Sequence, residues 1–201
     1  MKNWKKQITQ IQDEVKELLR GKKIFFDTVK IINENKAVQK DISAWWNYYK
    51  LNYTYFVVSK IWHQIDKKHS KGNLINLLQD LYENCSMISA EWWVGDGNDL
   101  SKDEFREDFG GKTLTPSNVY ADIGELMHIT KGVKKFRHER IAHRNKSQTI
   151  KDKIALKNIE ESIEIIERLT KKYTLLLEQR DLDLNRGGDD WQKSFTISWI
   201  S

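Results

Sequence analysis

The sequence predicts an all-α protein, and three observations carry that prediction. Apolar residues recur every three or four positions over long stretches, the period of one helix face. Helix breakers are scarce: one proline, Pro116, and ten glycines in 201 residues. Eight Trp, seven Tyr and seven Phe bring enough large apolar surface for a packed core, which excludes a disordered chain. The length suits one domain with a substantial core, or one domain and a tail.

Taken in order, residues 4–20 read as a helix with Trp4, Ile8, Ile11, Val15 and Leu18 on one side, and Gly21 is expected to end it. A second helix is expected from Phe25 to Asn33. Asp41 or Ser43 caps a long third helix that runs through Trp45, Tyr49, Phe56 and Ile61 to His69. It is apolar around much of its circumference, so a central position is expected. Gly72 and Asn73 open the next helix, Leu74 to about Trp93. Residues 94–117, with Gly95, Gly97, Gly110 and Gly111 among charges, read as a long mobile loop with one helical turn near Asp103 to Phe109. Thr115 or Ser117 caps the following helix, with Pro116 in its first turn. A last helix spans Lys151 to Arg180, its inner side formed by Ile154, Ile159, Ile163, Ile166, Leu169 and Tyr173. In the tail, Trp191, Phe195, Ile197 and Trp199 alternate in the manner of a short strand, which needs a groove or a partner edge.

Charge narrows the function. The net charge is only +5, but it is concentrated. Between Lys131 and Lys153 nine lysines and arginines face two carboxylates, Glu139 and Asp152. A positive patch on a nearly neutral body suits a polyanion such as RNA, although charge runs are also ordinary solvated helix faces. The start of the chain, Met-Lys-Asn-Trp-Lys-Lys, has no secretory apolar region, and no run is long enough to span a bilayer. A lone Cys85 in an apolar run reads as a core residue of a reducing compartment. The expected location is cytoplasmic, with no membrane partner.

The helix after Pro116 has an unusual stripe. Val119, Ile123, Leu126, Thr130, Val133, Arg137, Arg140 and Arg144 alternate at intervals of four and three. Arginines thus continue the packed face into an interface or cleft, where a surface helix would place them opposite it. Arg137 is followed, six positions on, by His143. An arginine can grip phosphate with two parallel hydrogen bonds, and a histidine exchanges a proton near neutral pH. Together they suffice to cut RNA without a metal, the RNA 2′-hydroxyl acting as nucleophile. On a straight helix the two lie about 9 Å apart along the axis and roughly 120° apart in direction. Either the helix ends before His143 or a second chain completes the site. The bland alternative is a structural pair bonded to helix-end carbonyls.

The spacing resembles the motif of the HEPN superfamily: Arg, then four to six residues of which the first is usually polar, then His. Here the polar residue is His138. The flank Ile141–Asn145 (IAHRN) is similar to the abortive-infection branch, as are the segments Tyr53–Asp66 (YTYFVVSKIWHQID) and Asn73–Asp80 (NLINLLQD). The resemblance covers roughly residues 40–180. It implies an HEPN-like four-helix core over 41–180, an N-terminal helical addition over 1–40 and a docked tail over 181–201. It also implies a homodimer that joins two motifs across a two-fold axis, and metal-independent RNA cleavage by a toxin or phage-defence effector, with an antitoxin or defence protein as a possible partner. Arg137 then contacts the scissile phosphate and His143 is the acid–base residue, while His138 orients phosphate or assists proton transfer. Lys134, Arg140, Arg144 and Lys146 fall to the RNA backbone. Glu139, one turn before His143, is placed to raise its pKa. Family members silenced by AMP transfer carry a tyrosine two positions after the histidine, where this chain has Asn145, so that control is not expected. The alternative function is a non-catalytic RNA- or nucleotide-binding module or a partner-dependent subunit. A third reading is a helical scaffold whose arginine and histidine are bonded within one chain.

No cofactor is expected. His63, Asp66 and His69 recur every three residues and could mark a metal corner, but three-residue steps drift around a helix and no fourth ligand is evident, so a polar helix end is preferred. Asp96, Asn98 and Glu107 match positions of a calcium loop, but Leu100 and Ser101 break the template.

Overall fold

The structure is a computed structural model that describes residues 3–36, 39, 43–68, 72–95, 101–142, 154–184 and 191. The fold is all-α: among the described residues the only β pairing is an isolated bridge between Ser89 and Thr113.

Helix α1 spans Trp4–Glu34 without interruption, so Gly21 does not end it and the two expected N-terminal helices are one. The reason is tertiary. Gly21 lies where α1 crosses α2 (Ser43–Ile65), and a Cβ there would sit 2.5 Å from the Phe56 ring. The glycine serves a close approach, and the helix tolerates it. The apolar side of α1 (Ile8, Ile11, Val15 and Leu18) is buried in the same core as the rest of the chain. α1 runs against the last helix, α8 (Leu156–Glu178), and also touches α2.

α2 stops at Ile65, where Asp66 accepts from the Lys68 amide in a turn. Asn73 then caps α3 (Leu74–Glu83), its side chain accepting from the Asn76 amide and donating to the His63 and Asp66 carbonyls. One amide side chain therefore closes the α2–α3 connection and satisfies orphan groups at both helix ends. The expected single helix from Leu74 to Trp93 is broken. A 3₁₀ turn, Cys85–Met87, follows α3, and Ser89 caps the short α4 (Ala90–Val94). Cys85 is buried, as expected, and its thiol, bonded to the Leu81 carbonyl, is pushed up by burial.

The expected mobile loop contains a packed helix, α5 (Lys102–Phe109). Ser101 and Glu104 form a reciprocal capping box, and Gly110 ends α5 in the left-handed region at φ 88°. Phe105 and Phe109, four apart and fully buried, pack on Trp93 of α4. Their shared face holds the segment down among its charges.

Thr115 occupies the N-cap position of α6 (Pro116–Ile129), its hydroxyl donated back to the Gly110 carbonyl at 2.8 Å, and Pro116 takes the first helical position as the sequence predicts. The run then passes Thr130 into α7 (Lys131–Phe136) and a π-helical turn, Arg137–Ala142. α8 buries Ile159, Ile163, Ile166, Leu169 and Tyr173, the expected inner face, and closes at Gln179 in the left-handed conformation. Of the tail, Leu184 is buried and Trp191 half-buried; Phe195, Ile197 and Trp199 lie outside the described residues.

Candidate functional site

The stripe on α6 and α7 is packed as its spacing predicts. Val119, Leu126, Thr130 and Val133 are buried, and Ile123 is half-buried. The run is not one helix, however. Thr130 donates its hydroxyl to the Leu126 carbonyl and sits at φ −81°, ψ 2°, which interrupts regular winding between α6 and α7.

Two links hold α6 against α8. Asp122, buried on α6, accepts from the Tyr173 hydroxyl at 2.8 Å and from Lys172 Nζ at 2.7 Å. Burial first, and then the Asp122 carboxylate, push the Tyr173 hydroxyl far above its ordinary pKa. Nearer the surface, Arg168 pairs with Glu125 at 2.6 Å. α2 is held to α1 by Glu14, which meets His63 at 3.1 Å and Gln64 at 2.7 Å, and by a Lys60–Glu17 pair. α2 and the α7–π segment are thereby fixed as neighbours, and they pack directly on one another.

Arg137 opens the π turn. Its guanidinium lies over the ring of Trp62 on α2, 4.7 Å from the centroid. The arginine is half-buried, so the packed stripe does continue through it. Among the described residues no carboxylate pairs with Arg137 and no carbonyl accepts from it. The contact uses the charge of the guanidinium and the electron-rich face of the indole. Among the described residues none of its five N–H donors has an acceptor. π winding, with each amide bonding five residues back, is rare in proteins and occurs often at functional sites.

Around Arg137 the residues fall as follows. Lys134, with Lys131 and Lys135, is exposed on α7, and none of the three is in an ion pair among the described residues. His138 is exposed in the same turn as Arg137, and Glu139 is half-buried beside it. The backbone of Arg140 belongs to the π turn; its side chain falls outside the described set. His143, Arg144, Asn145 and Lys146 also lie outside the described residues, and with them the pairing of His143 with Arg137 or Glu139. Sequence reasoning missed Trp62. Its signal was present: the residue sits in the quoted segment beside His63, on a helix whose apolar residues outnumber what one core face can use.

Of the metal candidate, His63 faces Glu14 and Asp66 closes the turn after α2, while His69 lies outside the described residues. Among the described residues no three His, Cys, Asp or Glu side chains gather in a metal-binding group. Nor is any described helix long and apolar enough to cross a membrane. No family model, no curated protein and no solved structure matches the chain.

Proposed function

We propose that this chain is a metal-independent endoribonuclease of the HEPN type, active as a homodimer in the cytoplasm, and that it serves as a toxin or phage-defence effector by cutting cellular RNA. The four-helix core of that reading corresponds to α2, α3, the α6–α7 run and α8. The observation that carries it is the state of Arg137: held by its face on Trp62, without an acceptor for its N–H donors among the described residues, and accompanied by the exposed Lys131, Lys134 and Lys135. A purely structural arginine would spend those donors on carbonyls or carboxylates of its own chain.

In the proposed reaction the RNA 2′-hydroxyl attacks the adjacent phosphorus. An imidazole removes the hydroxyl proton, and the role falls to His143 with His138 as an assistant. The guanidinium of Arg137 binds the non-bridging oxygens as they gain charge. The bond to the 5′-oxygen breaks, and that oxygen takes up a proton. The products are a 2′,3′-cyclic phosphate and a 5′-hydroxyl, and DNA is not cut. Lys134, Arg140, Arg144 and Lys146 hold the backbone.

The test is cleavage of RNA by purified protein in EDTA. His143→Ala should lose about 10²-fold or more, the usual scale for general acid–base catalysis, and Arg137→Ala a comparable factor. Cleavage that needs magnesium, or that survives both substitutions, overturns the mechanism. RNA binding without cleavage would favour the second reading, a non-catalytic RNA-binding module or a subunit that needs an antitoxin or defence partner. The exposed lysines of α7 alone would serve it. Light scattering that shows a monomer at micromolar concentration would remove the homodimer.

A further inference from the structure

The sequence places α2 at the centre, yet only one side of it is buried. Val57, Val58, Ile61 and Ile65 face the core. Another side carries Trp45, Tyr48, Leu51, Asn52, Tyr55 and Ser59, all exposed. Trp45 is 47% exposed, Tyr48 67% and Tyr55 39%. At 100° per residue these positions lie on the same side as Trp62. The stripe therefore runs along one helix for about 26 Å, at 1.5 Å per residue, and ends at the ring that carries Arg137.

Large aromatics grouped on a surface mark a binding face. The charge around this one selects the partner. The 23 residues of α2 include no Asp or Glu, and its two lysines, Lys50 and Lys60, fall on other sides of the helix. Glu14 and Glu17, which face α2 from α1, are engaged by His63, Gln64 and Lys60. At the Trp62 end stand the exposed lysines of α7. Aromatic rings on a helix without carboxylates, met by positive charge at one end, suit unpaired bases on a phosphate backbone, since every base has a face to stack and duplexes hide theirs.

We infer that the solvent face of α2 is a stacking track for single-stranded RNA, leading the strand onto Arg137. The inference rests on the ribonuclease reading for its destination, and it adds a substrate class: unpaired RNA. Tyr48 and Tyr55 are the stacking platforms, and Trp45, whose ring lies 5.1 Å from Tyr49 and 6.4 Å from Trp46, extends them.

The experiment measures fluorescence anisotropy with a labelled 2′-O-methyl oligonucleotide, single-stranded or as a blunt duplex. The chain cannot cut such a probe through a 2′-hydroxyl, so binding is read apart from cleavage. The double variant Tyr48→Ala/Tyr55→Ala should weaken single-strand binding by about 25-fold, roughly fivefold per lost base at the lower end of stacking energies. Duplex binding should hardly move, and Tyr48→Phe/Tyr55→Phe should keep wild-type affinity because the ring faces remain. Unchanged single-strand affinity in the alanine variant, or an equal loss for both probes, overturns the track. Loss of a dimer in light scattering with RNA affinity unchanged also overturns it and makes α2 a contact between copies. If the variants behave as expected but wild-type protein leaves ordinary RNA intact, the track stands and the nuclease reading falls. If ordinary RNA is cut and the alanine variant binds like wild type, the reverse holds.

Discussion

Removing the ring beneath Arg137 tests the geometry on which the site depends. The contact joins a half-buried arginine to a half-buried tryptophan at 4.7 Å. Such pairs contribute about 0.5–1 kcal/mol when exposed and about 2 kcal/mol when desolvated, so a coupling of about 1 kcal/mol is expected here. Trp62→Leu alone also loses packing, and Arg137→Met alone loses solvation and charge. A double-mutant cycle cancels both and leaves the pair. The assay is urea unfolding of wild type, the two single variants and the double variant. With a slope of about 2 kcal/mol per molar, the coupling amounts to about 0.5 M in midpoint between the two arms of the cycle. The same cycle can be run on the proposed RNA cleavage. Trp62→Leu should cost about fivefold in kcat in the wild-type background, the equivalent of 1 kcal/mol, and nothing further once Arg137 is methionine. A stability coupling within about 0.3 kcal/mol of zero, with all four proteins folded, would mean that the ring does not hold the guanidinium and would refute the reasoning.

Other expectations follow from the same structure. Asp122→Ala leaves the buried Tyr173 hydroxyl without its acceptor at 2.8 Å and should cost about 2–4 kcal/mol in chemical unfolding, part of it recovered by adding Tyr173→Phe; a cost below about 0.5 kcal/mol would remove this link between α6 and α8. Tyr173 and Tyr53 both have hydroxyls raised by burial, so the folded state keeps protons that the unfolded chain releases near pH 10. Their contribution is therefore fully present below about pH 10 and lost as pH rises beyond it, and Tyr53→Phe/Tyr173→Phe should flatten that alkaline loss in urea titrations at successive pH values. Gly21→Ala, despite its better helix propensity, should destabilise by about 1–3 kcal/mol through the collision with Phe56, and Phe56→Ala in the same chain should relieve it. RNA affinity should fall steeply with salt, and each alanine at Lys131, Lys134 or Lys135 that removes a phosphate contact should flatten the slope by about one, read from binding isotherms at several salt concentrations.

What the sequence disclosed was periodicity; what it hid was which neighbour each residue would meet. The inner face of α8 follows from spacing alone, because Ile159, Ile163, Ile166, Leu169 and Tyr173 are local to one helix. The start of α6 at Thr115 and Pro116 is legible for the same reason. Gly21 was misread because its reason for being glycine, the Phe56 ring, is 35 positions away. Phe105 and Phe109 were overlooked among the six charged residues of α5, although two aromatics four apart are sufficient to bury a short helix once Trp93 is beside them. Apolar character all around α2 suggested a central helix, whereas one side is core and the other an exposed aromatic face. Of the candidate site, Lys134, Arg137 and His138 are placed by the structure; the partner under Arg137 came from a different helix and had no signature in the motif itself.

The π turn also bears on how the motif can change length. Five α-helical steps advance about 500°, which would leave residue 142 some 140° around the axis from residue 137. With amides bonded five residues back, the fifth residue returns to the side it started from. A helix wound this way carries an inserted residue without breaking. Deleting one of residues 138–141 would let the segment rewind as α, with the cost taken up in winding and the buried contacts of Val133 and Leu126 untouched. In the motif proposed for this chain, the interval from arginine to histidine is allowed to vary. A turn that can trade π for α winding gives that tolerance a mechanical basis: the chain gains or loses a residue by changing pitch at one turn, while Arg137 stays on Trp62.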